Sequence, residues 1–237
     1  MRTTARMLRN FTFALLLCAT LGFSQVPQTE PDRTNAPVPT VTFELNWREA
    51  DPRWYRISVD STGRASYQSQ PRQVPNEIPG DPYIVKFTAS EGTRTQIFSF
   101  AKALNYFQGD FAFKTGNIAN TGAKTLRYQE GDRTTQTTYN WSQNQQLMEL
   151  TSLFQRISTT MEFGRRIRFT MRFDKIGLDA DLKAMEEVSK RNGLAEIQVV
   201  EPTLRQIAND RSVMNITRQR ALRILEQGNG LGQENGK

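Results

Sequence analysis

The chain has 237 residues, with 31 Lys and Arg against 24 Asp and Glu, a formal net charge of +7, one cysteine and no histidine. Without an imidazole it has no Ser-His-Asp or Cys-His catalytic pair, and it lacks the commonest metal ligand. A single cysteine excludes an intrachain disulfide framework, Cys-x-x-Cys redox chemistry and thiolate zinc sites.

Residues 1–24 have the pattern of a secretory signal peptide. Three arginines precede an apolar run over residues 11–23, and small residues stand where a signal peptidase reads the chain. We predict cleavage between Ser24 and Gln25, a secreted or periplasmic protein, and no transmembrane segment in the mature chain. Lipid attachment at Cys18 is the alternative, but three leucines precede that cysteine where a small residue is required.

Four prolines predict that residues 25–40 are an extended tether, and the fold is expected to begin after it. Residues 41–142 are predicted to form a β-rich region, because apolar and polar residues alternate around Phe43, Tyr55 and Tyr67. This alternation indicates an antiparallel meander with one face turned to solvent.

One helix is predicted to cover the sheet. Ser90 or Thr93 can cap it, its apolar residues lie on one side, and Gln108-Gly109-Asp110 is expected to end it. The stretch from Leu126 to Trp141 then contains a turn signal and predicts a closing hairpin.

Residues 143–226 change to helical spacing and predict a layer of three to four helices, with a disordered tail over residues 227–237. Asp179 is expected to cap one helix, Pro202 to open another, and Asp210 or Ser212 to start the last, which ends near Leu225. The predicted fold class is therefore α+β, a β-meander with one covering helix followed by a C-terminal helical layer.

One predicted helix carries apolar residues at alternating steps of three and four. These are Leu147, Leu150, Phe154, Ile157 and Met161. Such a seam is typical of a core face, which we favour. It is shorter than the three to four heptads of a coiled coil, and a homodimer through the seam is the alternative.

A basic stripe is the most specific candidate site. Residues 165–175 fit either a strand or a continued helix, and we favour the helix because no turn signal precedes them. A helix would bring four cations to one face: Arg165, Arg168, Arg172 and Lys175. This face could contact an anionic envelope polymer, a lipid surface or an acidic protein. Alternatively, Glu162, Asp174 and Glu186-Glu187 neutralise it.

Aromatic residues of the β-rich region provide a second candidate. Trp54 lies next to inward-facing Tyr55 and can point outward, where it could bind a glycan. The acids available to a glycosidase are Glu44, Glu49, Asp60 and Asp110, but their spacing selects no pair. A groove lined by tryptophans Trp47, Trp54 and Trp141 and containing two carboxylates would support a glycan-active protein.

Three short motifs resemble those of penicillin-binding proteins and serine β-lactamases: Ser99-Phe100-Ala101-Lys102, Lys114-Thr115-Gly116 and Ser142-Gln143-Asn144. A lysine could serve as the base without histidine. However, the order of the motifs differs from that family, and Ser99 is expected inside a helix.

We therefore expect an exported, non-catalytic interaction or structural module of the bacterial envelope, with no catalytic residues, metal or cofactor. A glycan-binding or glycan-hydrolysing protein is the alternative, and a lysine-based serine hydrolase is the third. Nucleic acid is not expected as a partner, because the charges lack interleaved exposed aromatic residues and the signal peptide directs the chain out of the cytoplasm.

Overall fold

The computed structural model describes residues 37–71 and 81–234, with side chains up to residue 228. The predicted signal peptide, the cleavage site between Ser24 and Gln25, and most of the predicted tether lie outside the described residues.

Six antiparallel strands form one sheet. They are β1 (Thr40–Asn46), β2 (Trp54–Asp60), β3 (Arg64–Gln70), β4 (Tyr83–Thr88), β5 (Ala123–Glu130) and β6 (Arg133–Tyr139). Their order across the sheet is β4-β3-β2-β1-β5-β6. The first four strands form a meander, and the β5–β6 hairpin pairs with the free side of β1. The predicted meander and closing hairpin are confirmed.

One face of the sheet builds the core and the other is polar. Phe43, Tyr55 and Tyr67 are buried on the inner face, as their alternation predicts. On the outer face, Glu44 accepts a hydrogen bond of 2.6 Å from the guanidinium of Arg56 on the next strand. Cross-strand pairs of this kind satisfy polar side chains on an exposed sheet face.

The covering helix α1 spans Glu91–Ala103, and the side chain of Ser90 caps it by accepting from the amide of Thr93 at 3.3 Å. The helix ends earlier than the sequence predicts. A turn at Asn105–Phe107, with positive φ at each residue, follows it. This turn places Phe107 in the core. The burial of Phe107 therefore does not require α1 to continue to residue 107.

Four further helices form the C-terminal layer: α2 (Gln145–Phe173), α3 (Gly177–Lys190), α4 (Glu201–Asn209) and α5 (Asn215–Glu234). The structure is thus an α+β fold with a helical layer. None of the helices within residues 37–71 and 81–234 has the length and apolar character needed to cross a bilayer.

The apolar seam of α2 is a core face. All five of its side chains, Leu147, Leu150, Phe154, Ile157 and Met161, are at most 1% exposed. The ring of Phe154 stacks on that of Phe43 from β1 with centroids 5.1 Å apart. Helix α2 therefore covers the sheet together with α1. A second copy of the chain could reach this seam only if the core opened.

The second half of α2 belongs to a different cluster. Residues 165–173 continue the helix, which confirms the helical interpretation of the basic segment. Phe163 and Ile167 are buried with apolar residues of α3, α4 and α5. One long helix thus contributes to both cores.

Three further predicted helix boundaries are wrong. Asp179 does not cap α3; it lies in the first turn of that helix and accepts hydrogen bonds from Thr217 and Arg220 of α5. Helix α5 begins at Asn215 and continues to Glu234, past the predicted end near Leu225 and into the predicted tail. Tertiary contact accounts for the continuation as far as residue 228, because Gly228 lies against the buried side chain of Ile197.

Candidate functional site

A cleft of about 720 Å³ opens between α2 and the loops at one end of the sheet. Its walls come from the loop after β1, the segments before β5 and after β6, and the outer side of α2. We call it the tryptophan cleft and use these lining residues below: Trp47, Asp51, Tyr55, Lys124, Trp141, Gln155, Ser158, Glu162, Arg165 and Arg166. Its volume is in the range of small-molecule sites.

Two tryptophans give the cleft its aromatic walls. Trp47 is partly buried and fits tightly against Gly122, where an added Cβ would lie 2.4 Å from the Cβ of Trp47. Gly122 also has a φ of +88°, which L-residues with side chains rarely adopt. Trp141 is 38% exposed, and its ring meets Phe113 edge-on at 5.0 Å. The cleft therefore has one fixed and one exposed aromatic wall.

A hydrogen-bonded carboxylate forms the polar end of the cleft. Oε1 of Glu162 accepts from the hydroxyls of Tyr67 at 2.7 Å and Ser69 at 2.6 Å, and Oε2 accepts from Nε of Arg165 at 2.7 Å. The Tyr67 hydroxyl also lies 3.1 Å from Oγ of Ser158. Both oxygens of Glu162 are thus occupied by donors from the protein.

Two tyrosines are buried at this end of the cleft, and the hydroxyl of each interacts with Ser158. Burial raises the pKa of Tyr55 far above its usual range, and burial followed by the charge of Glu162 does the same for the pKa of Tyr67. Both hydroxyls are therefore neutral well above physiological pH, and Tyr67 donates to Glu162.

Lys124 is a buried cation that holds the loops of the cleft. Its Nζ donates to the carbonyls of Thr121, Gly122 and Asn140 at 3.1, 3.3 and 2.8 Å. Burial lowers the pKa of Lys124. These bonds tie the segment before β5 to the residue that precedes Trp141, so Lys124 positions that wall of the cleft.

The predicted basic stripe is divided among different environments. Arg165 lines the cleft and is paired with Glu162. Arg168 is exposed, donates to the hydroxyl of Tyr83 and lies 5.5 Å from its ring centroid. Arg172 is exposed near the last turn of α2, 5.0 Å from the ring of Phe173.

Lys175 does not share this face, because α2 ends at Phe173. Its Nζ lies 3.2 Å from Oδ2 of Asp210. The proposed neutralising role of Glu162 is confirmed for Arg165. The role proposed for Glu186 is wrong, since its carboxylate pairs with Lys190, Arg220 and Arg223.

Trp54 lies outside the cleft. It is on β2 in the position that alternates with buried Tyr55, so it belongs to the outer face of the sheet. The guanidinium of Arg56 lies 5.3 Å from the centroid of the Trp54 ring, and Trp54 is half-buried. The outward orientation is as predicted, but Trp54 does not join the other two tryptophans.

The carboxylates that line the cleft are Asp51 and Glu162. The four acids singled out for glycosidase chemistry, Glu44, Glu49, Asp60 and Asp110, do not line it. Asp60 serves the β2–β3 turn instead, where it accepts from the amides of Thr62 and Arg64.

Two of the three hydrolase-like motifs meet at a second cleft. It has a volume of about 540 Å³, and its lining includes Lys114, Thr115, Ser142 and Asn144. Ser99 lies on α1, as predicted inside the helix, and does not line this cleft. The structure therefore does not gather the three motifs into one site there.

Gln155 is a cleft residue that the sequence analysis did not single out, and neither Arg166 nor Glu162 was assigned to a cleft with tryptophans. The sequence shows that these polar residues lie beside the apolar seam of a helix. It does not show which loops pack opposite them and complete the cleft. Among the described residues, no group of three His, Cys, Asp or Glu side chains is placed to hold a metal ion. Comparison with protein-family models, curated proteins and solved structures finds no match for this chain.

Proposed function

We propose that this protein is a non-catalytic module that binds an acidic carbohydrate in the tryptophan cleft. The observation that carries the proposal is that Trp47 and Trp141 line the same cleft as Arg165 and Arg166. Aromatic walls with a few convergent polar groups are characteristic of ligand sites.

The chemistry of a uronic acid fits these groups. One face of a pyranose ring carries C–H groups, which pack against an aromatic surface, while hydroxyls at its edge form hydrogen bonds. Exposed Gln155 offers an amide donor and acceptor for such hydroxyls. The guanidinium of Arg166 lies 4.5 Å from the ring centroid of Phe163 and has no ion pair with an acidic side chain in the described part of the chain. It is therefore available to a sugar carboxylate.

Binding without hydrolysis is supported by the state of the carboxylates. A glycosidase needs one carboxyl group that gives a proton and a second that acts as base or nucleophile. Glu162 already accepts from three protein donors, which makes it a positioning group for Arg165. We assign the ligand to the envelope or the surroundings of a bacterial cell, because residues 1–24 predict export.

The test compares Trp141, which lines the cleft, with Trp54, which lies on the outer face of the sheet and outside the cleft. We expect Trp141→Ala to weaken binding of an oligogalacturonate by about tenfold or more, since it removes an exposed aromatic wall. Trp54→Ala is the matched control and should leave the affinity unchanged. Isothermal titration calorimetry measures both values. Loss of binding in the Trp54 variant alone would indicate that the ligand binds the outer face of the sheet, and it would refute the proposal.

Charge selectivity is tested in the same titrations. Arg166→Gln should weaken oligogalacturonate binding about tenfold or more and leave binding of a neutral oligosaccharide little changed. Arg172→Gln, which lies outside the cleft, is the control. New reducing ends released from either sugar would contradict the non-catalytic part of the proposal.

A further inference from the structure

The end of α2 exposes a row of large apolar side chains. Phe169 is 61% exposed, Phe173 is 64% exposed, and Ile176 in the turn after the helix is 85% exposed. The two phenylalanine rings lie 5.0 Å apart. They are four residues apart on one helix face, so they form a continuous surface. We call Phe169, Phe173, Ile176, Arg168 and Arg172 the aromatic–arginine ridge.

Helix geometry places the two arginines beside the phenylalanines. Each residue turns the helix by about 100°, so Arg168 and Arg172 lie on one side of the line from Phe169 to Phe173. Neither arginine forms an ion pair with an acidic side chain of residues 37–71 or 81–228. Buried Ile167 anchors the opposite side of this turn in the helical core. The ridge is thus apolar and cationic at once, and it rests on a fixed helix.

A second segment, held next to the end of α2 by Lys175, also exposes apolar side chains. Nζ of Lys175 lies 3.2 Å from Asp210 and also donates to Oγ of Ser212, which ties the turn after α2 to the segment that leads into α5. Met214 and Ile216 at the start of α5 are 51% and 54% exposed. Exposed apolar side chains therefore come from two segments that this lysine joins.

We propose that the aromatic–arginine ridge docks on the surface of an anionic phospholipid bilayer. An interfacial site combines apolar side chains, which enter the boundary between headgroups and acyl chains, with cations that meet anionic headgroups. A soluble polyanion would pair with the arginines but leave Phe169 and Phe173 in water. The ridge residues do not line the tryptophan cleft, so this function is additional to carbohydrate binding.

Vesicle sedimentation of the full chain tests the apolar part. We expect binding to vesicles of equal parts phosphatidylcholine and phosphatidylglycerol, and weaker binding to phosphatidylcholine alone. Phe169→Ser with Phe173→Ser should lower the partition coefficient by about tenfold or more. Ile84→Ser is the control, because Ile84 is 59% exposed on β4, whose alternation places it on the outer sheet face. The apolar run over residues 11–23 is the same in every variant, so differences report on the ridge.

The electrostatic part has its own pair of variants. Arg172→Gln should weaken binding to the anionic vesicles by several fold and have little effect on neutral vesicles. Lys86→Gln, an exposed cation on the outer face of β4, is the control. Both variants and the double phenylalanine variant should keep the thermal midpoint of the wild type, since all these side chains are exposed.

Three results would overturn the proposal. The first is a double phenylalanine variant that binds the anionic vesicles as the wild type does, which would leave only electrostatic attachment. The second is an equal loss of binding in the Ile84 or Lys86 control. The third is equal binding to vesicles with and without phosphatidylglycerol.

Discussion

Glu186 is a buried carboxylate that organises the C-terminal helices. It receives hydrogen bonds from Arg220 and Arg223 of α5 at 2.9 and 2.8 Å, and Lys190 lies 3.5 Å away. The hydrogen bond from Arg223, and then that from Arg220, lowers the pKa of Glu186 to about 2 despite the opposing effect of burial. Because the pKa is lower in the folded than in the unfolded chain, the ionised carboxylate stabilises the fold.

We predict that Glu186→Gln lowers the free energy of unfolding at pH 7 by about 2 kcal/mol, since it leaves partly buried arginines without their carboxylate. The wild type keeps this stabilisation above pH 4.5, the ordinary pKa, and loses it as the pH falls towards about 2. The difference between the two proteins should therefore narrow over that interval. Urea denaturation at several pH values measures it.

Glu187→Gln is the control for this prediction. Glu187 is the next residue, but it is exposed and pairs with Lys190. Its substitution should change stability by less than about 1 kcal/mol at any of these pH values. Equal effects of the two substitutions would show that the α5 arginines do not depend on Glu186.

The long helix α2 contains one glycine at its closest approach to another segment. A Cβ built on Gly164 would lie 2.5 Å from Cγ1 of Val200, which is itself buried. Glycine costs about 1 kcal/mol relative to alanine inside a helix. Close packing between α2 and the segment that precedes α4 explains why this helix keeps its glycine.

Gly164→Ala is therefore expected to destabilise the protein by about 1 to 3 kcal/mol, because the clash with Val200 outweighs the gain in helix propensity. Gly92→Ala in the first turn of α1 is the matched change, since a Cβ on Gly92 would meet nothing within 4 Å. It should be neutral or slightly stabilising. Thermal unfolding midpoints of both variants measure the effect. A Gly164→Ala variant that is more stable than the wild type would show that Val200 can move to accommodate the added methyl group.

Helix α2 joins the two apolar clusters that the described residues form. The residues from Leu147 to Met161 pack with the sheet, and Phe163 and Ile167 pack with α3, α4 and α5. A polar contact also connects the halves: Glu196 accepts from the amide of Ser90 at 2.9 Å and from its hydroxyl at 2.7 Å. Neither cluster can lose α2 without exposing the apolar side chains that it covers.

We expect the whole described fold to unfold in one transition. All three tryptophans, at residues 47, 54 and 141, lie in the β-rich half. Four of the five α-helices in the described part of the chain belong to the C-terminal layer. Tryptophan fluorescence and far-ultraviolet circular dichroism thus follow different halves. Their urea transitions should coincide if unfolding is cooperative. Separate midpoints would show that the helical layer and the sheet unfold independently.

The elements of this fold were predictable where local patterns specify them. Period-two alternation around Phe43 and Tyr55 was enough to predict the meander and its buried face. The sequence offered Ser90 and Thr93 as caps of α1, and the structure shows that Ser90 is the cap. The three-four spacing from Leu147 to Met161 identified the core side of α2. Each of these signals lies within one element, where the repeat of the backbone decides which side chains point the same way.

The candidate site depends on contacts between distant parts of the chain. Trp47, Trp141 and Glu162 come from three separate segments. The sequence named all three tryptophans as candidates, but it did not show that Trp54 would lie outside the cleft that the other two line. The pairing of Lys175 with Asp210 likewise follows from the packing of the helices and not from helical spacing. Periodicity determines which face of an element is buried, but the packing of one element against another determines which exposed side chains meet, and so the tryptophan cleft and the aromatic–arginine ridge emerge only from the folded chain.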